Sequence, residues 1–169
     1  MTEKQKIKID ELIGILPDNE KDMYREIAEH AVELGYLPSK AKNLSDPVAF
    51  SKKANNCFRK LCQISPPNPA KQQENTVFSL SFYTVTEYSE IFHEAVKKAC
   101  ESRKTKVGVN GCGNCIKRYG QCTGYTYIYP CGKKIMCCHD KLITLPTINA
   151  EYLDEIKNMM KTHHERWMA

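Results

Sequence analysis

At 169 residues, with 41% hydrophobic and 27% charged side chains and a net charge of +5, the chain fits one domain large enough to bury its own core. No apolar run approaches the ~18 residues that a membrane-spanning helix needs, which excludes that class of partner. The charged opening MTEKQKIKIDELIGILPD lacks the apolar stretch and small-residue cleavage site of a secretory signal, so the expected location is the cytoplasm, where thiols stay reduced.

Ile9, Leu12, Ile13 and Leu16 recur at helical spacing before Pro17 and predict a short helix over 8–16. Asp18 is placed to cap a second helix, with Glu20 and Asp22 in its first turn. Tyr24, Ile27, Ala28, Ala31 and Leu34 form its apolar stripe, and Gly35 ends it. Residues 36–47 read as a linker.

The stretch 48–64 has two readings. One is a helix with Asp46 as N-cap and Pro47 in its first turn. The other is a hairpin of strands 48–52 and 57–64 around Asn55 and Asn56. Asn-Asn is poor in mid-helix and good in a turn, so the hairpin is preferred. In both readings Cys57 and Cys62 are small buried thiols rather than ligands. Residues 65–75 are a polar, Pro-rich loop.

Residues 76–84 alternate and predict a strand whose apolar face carries Phe78, Leu80 and Phe82. Thr84 and Glu87 match a capping box for a helix over 85–101, with Val85, Tyr88, Ile91, Phe92, Ala95, Val96 and Ala99 inward. Glu94 and Lys98 are expected to pair on its outer side, and His93 reads as a solvated histidine. Residues 124–130 and 133–145 then read as two strands around a two-residue Cys131–Gly132 turn. The last helix starts near Asn149. Its first turn is acidic and its end is basic, which matches the helix dipole. Leu153, Ile156, Met160, His163 and Trp167 share one face, with Trp167 expected to seal the core edge. His163 and His164 read as a helix end rather than a metal site.

These elements predict one α+β domain over 1–169: an antiparallel sheet of about five strands with helices on one face, plus a Cys-rich metal-binding knuckle and hairpin. No Rossmann or P-loop glycine pattern and no G-x-S-x-G elbow is present.

Six of the nine cysteines fall between Cys112 and Cys138. An odd number, clustered and kept reduced, favours metal ligation over a disulfide framework. Cys112 and Cys115 form a C-x2-C knuckle flanked by Gly111 and Gly113, and Cys122 returns after a short loop. A structural zinc site takes four such ligands in a tetrahedron. With a two-residue turn, Tyr125 faces Cys138 and Thr126 faces Cys137. Cys131 then sits at the tip, too far along the strands to reach Cys122. The expected ligands of one structural Zn2+, within a clip over 108–140, are therefore Cys112, Cys115, Cys122 and Cys138, with Cys137 and His139 as substitutes.

Residues 111–145 carry five basic and one acidic side chain, most of the net charge. Four thiolates on one Zn2+ add a charge of about −2, so part of this basicity reads as counter-charge. Three functions compete. The first is a binding or regulatory domain stapled by zinc, with a protein or small-molecule partner. The second is nucleic-acid binding through Lys117, Arg118, Tyr119, Tyr125, Tyr127, Tyr129, Lys133 and Lys134. The third is a thiol- or metal-dependent enzyme, for which His93, His139, His163 and His164 offer no evident catalytic set. The first is preferred.

Overall fold

The computed structural model describes residues 1–39, 41, 43, 45–54, 57–81, 88–101, 125–128, 132, 134–137 and 142–168. Helix α1 spans Glu3–Gly14, longer than the apolar stripe alone suggests. Its start is set by a capping box: Gln5 N–H donates to the Thr2 hydroxyl, and the Thr2 N–H donates to the Gln5 side chain. Ile9, Leu12, Ile13 and Leu16 are all buried as their spacing requires.

Asp18 does not cap the second helix. It opens a short 3-10 turn, Asp18–Glu20, and holds Lys21 at 2.6 Å, which lowers its carboxyl from the ordinary range. Helix α2 follows over Lys21–Glu33. It ends in a Schellman arrangement: Gly35 N–H donates to the Val32 carbonyl and Tyr36 N–H to the Ala31 carbonyl, with Gly35 at φ +85°. Lys52 completes this end by donating to the Leu34 carbonyl, its Nζ 5.9 Å from the Tyr36 ring centre.

The expected linker contains strand β1, Leu37–Pro38, which pairs with β2. Strands β2 (Val48–Ala54) and β3 (Cys57–Ser65) form the expected hairpin, with Ala54 opposite Cys57. Between the Phe50–Cys62 and Ser51–Lys60 pairs the register shifts, leaving Leu61 as an extra residue on β3. Such a bulge bends the ribbon. The Leu61 carbonyl accepts instead from Ser81 N–H.

Strand β4, Val77–Leu80, pairs with β3 and then with β7, Ile143–Thr144, so the main sheet is antiparallel in the order β1-β2-β3-β4-β7. Register puts Val48, Phe50, Cys62, Ile64, Phe78, Leu80 and Ile143 on one face. All are buried in one core with residues of α1, α2, α3 (Glu90–Glu101) and α4 (Leu153–Met168). Ser79 and Thr144 meet on the other face by a 3.1 Å hydrogen bond.

Helix α3 begins at Glu90, later than the expected 85, and Ser89 supplies the first carbonyl to Phe92 N–H. The expected capping pair Thr84 and Glu87 lies outside the described residues. Phe92, Ala95 and Val96 are buried as expected, while Glu94 pairs with Lys97. The Glu155 carboxylate of α4 accepts from both the backbone N–H and the hydroxyl of Ser89, tying the start of α3 to α4. Asn149 caps the turn Ala150–Tyr152 that leads into α4. Ile156, Met160 and His163 are buried on its inner face, joined by Met159, while the Trp167 side chain lies outside the described part.

The long strand expected over 133–145 is two strands in two sheets. Among the described residues strand β6, Lys134–Cys137, pairs only with β5, Tyr125–Ile128, and β7 belongs to the main sheet. His139, Asp140 and Lys141 interrupt the apolar run between them. The β5–β6 hairpin packs against α3.

Candidate metal centre

Helix α3 is the platform for the β5–β6 hairpin, because both strands lie against it. Cys112, Cys115, Cys122, Cys131, Cys138 and His139 lie outside the described residues, as do Lys117, Arg118, Tyr119, Tyr129 and Lys133 of the cation–tyrosine set. Among the described residues no group of three or more His, Cys, Asp or Glu side chains stands close enough to hold a metal ion.

The hairpin register corrects one step of the ligand argument. Tyr125 stands opposite Cys137, Tyr127 opposite Ile135 and Ile128 opposite Lys134. Each pair is offset by one residue from that of a two-residue turn. Residues 129–133 make the connection, and Gly132 sits in the left-handed region at φ +81°. A one-residue slip exchanges the two faces of a strand. The pairing of Cys138 with Tyr125, which favoured Cys138 over Cys137, is therefore not made. Cys137 occupies the last paired position, and Cys138 follows one residue beyond it.

Cys62 fits its expected role. It is fully buried in the core, and burial pushes its thiol far above the ordinary value. Such a thiol is inert as a nucleophile or ligand. His164 is partly buried with its ring edge-on to Tyr36, at 5.7 Å between centroids. Its pKa is lowered, first by burial and then by nearby Lys52, so the neutral imidazole is favoured.

A second feature has no counterpart in the sequence reading. An apolar groove of about 860 Å³ runs between α1 and the segment before β2, lined by Ile7, Leu12, Ile15 and Val48 with Lys4 and Lys8 beside them. That volume is in the range of small-molecule sites. Lys8 Nζ donates to the Pro38 carbonyl at 3.2 Å, fixing α1 against β1. The only signal for the groove was Ile7, which stands off the buried stripe of α1 and is 49% exposed.

Comparison with protein-family models, with curated proteins and with solved structures gives no match. No described helix is long and apolar enough to cross a membrane.

Proposed function

We propose that this chain is a binding or regulatory domain in which one structural Zn2+, held by Cys112, Cys115, Cys122 and Cys138, closes the segment 108–140. The observation that carries this reading is where the cysteines join the hairpin. Tyr125 and Cys137 form its last pair, so the chain from Cys122 enters and the chain to Cys138 leaves at the same end. Cys131 belongs to the connection at the other end, three paired positions away, or about 10 Å along the strands. Cys138, one residue beyond the last pair, is kept as the proposed fourth ligand, with Cys137 as its substitute. A hairpin of two four-residue strands is marginal alone and gains from a metal clip at its open end.

Metal analysis of purified protein tests the reading, with about one zinc per chain expected. Cys138→Ser is expected to lose the metal and Cys137→Ser to keep it. Absence of any bound metal sinks the clip, and loss through Cys137→Ser alone moves the fourth ligand by one residue.

The groove along α1 is the seat proposed for an apolar small molecule. An anilinonaphthalene sulfonate dye should brighten on the native protein, and Ile7→Glu should abolish the effect. A dye that stays dark on the wild type contradicts this seat.

A further inference from the structure

The distal half of the β2–β3 hairpin extends past its neighbours. Strand β1 pairs with β2 only at Phe50 and Ser51, and β4 pairs with β3 only over Cys62–Ser65. Among the described residues, 52–54 and 57–59 therefore pair only with each other and Lys60 pairs with Ser51, beyond the Leu61 bulge that bends the ribbon.

The two faces of this ribbon differ. Lys52 points inward, to the Leu34 carbonyl and the Tyr36 ring. On the opposite parity Lys53 stands across from Phe58, and Lys60 lies two residues farther along β3. Lys53, Phe58 and Lys60 are all exposed, and Phe58 is 78% exposed. An exposed aromatic ring between two lysines on a strand face loses hydrophobic free energy unless something covers it. Lysines on a strand edge also guard against aggregation, but that role gives no reason for the ring. From Pro47 to Gln73 the sequence has five basic and no acidic side chains, so no carboxylate of the ribbon neutralises this face.

We propose that this ribbon binds single-stranded nucleic acid, with a base stacked on Phe58 and backbone phosphates at Lys53 and Lys60. Stacking rings flanked by cations are the common device for such ligands, and every base offers a face to the ring. A purely ionic partner would not use the ring. The proposal does not depend on the zinc reading.

The test uses the full-length, metal-replete protein and a fluorescein-labelled dT20, titrated between about 50 and 200 mM salt. Binding that weakens with salt is expected. Phe58→Ala should weaken it about 10-fold with the salt slope unchanged. Lys53→Gln/Lys60→Gln should weaken it and reduce the magnitude of the slope by about 1.4, for two phosphate contacts on a single strand. All three side chains are exposed, so melting curves should match the wild type. Four results overturn the proposal: no binding at low salt; binding indifferent to these variants; binding lost instead through Lys133→Gln/Lys134→Gln; or binding to anionic phosphatidylserine vesicles with none to dT20. Duplex bound as tightly as dT20, with Phe58→Ala silent, also overturns the stacking assignment.

Discussion

The main sheet and the β5–β6 hairpin are both antiparallel, but they are held by different means. In the sheet, seven apolar side chains from four of its five strands share one face and pack into the core with α1, α2, α3 and α4. Burial of that apolar surface is what holds the sheet. Among the described residues the hairpin has four residue pairs and packs against α3, and Ile128 on β5 is 47% exposed. Local stability follows local burial, so the two regions should open independently. A chain of this size can carry a corner that its core does not reach, and six of the nine cysteines fall within or beside the hairpin in the sequence.

The largest effect separating the regions belongs to the sheet. Phe50 is fully buried at the centre of the apolar face, and Phe50→Ala should cost about 3–5 kcal/mol in denaturant unfolding. A small change there would mean that the sheet is not the stabilising half. Gly35→Ala comes next, at about 1–2 kcal/mol. A side chain at φ +85° is strained, and its Cβ would sit 3.1 Å from Lys52 Nζ. Equal melting temperatures for this variant and wild type would contradict the helix-end assignment.

Glu155→Gln sharpens the comparison from the other side. It weakens the clamp on Ser89 that ties α3 to α4, at a cost of about 1 kcal/mol. Amide exchange should rise in α3 and the hairpin while β2 and β3 stay protected; a uniform rise would show that the two regions open together.

The smallest effect is pH-dependent. The pKa of His164 is lowered in the folded state, so the unfolded chain binds more protons as pH falls through the ordinary value of 6.5. The stability contributed by neutral His164 is complete above that pH. It declines as pH drops and levels off below the folded pKa. His164→Phe keeps a ring against Tyr36 and should flatten this part of the stability–pH curve; an unchanged curve would assign the acid sensitivity elsewhere.

Where the sequence pattern is local and strong, it was legible. The Asn-Asn turn identifies the β2–β3 hairpin, and the stripes of α1 and α2 name the residues that are buried. Strand β1 was missed because two residues ending in Pro38 carry no alternation to read. The hairpin register was missed because turn length is not written in the Cys131–Gly132 pair. Gly132 takes a left-handed conformation within a longer connection, and the slip reassigns each cross-strand partner. The basic ribbon was hidden by averaging: ten acidic residues elsewhere in 1–60 cancel its lysines, and only pairing brings Lys53 beside Phe58.

Hydrogen exchange of the purified protein, before and after removal of metal by a strong chelator, tests the central contrast most directly. Residues 125–137 should lose protection on chelation while β2, β3 and β4 keep theirs, and added Zn2+ should restore the hairpin. Unchanged hairpin protection after the metal is gone, or loss of protection across the sheet with it, would contradict the account.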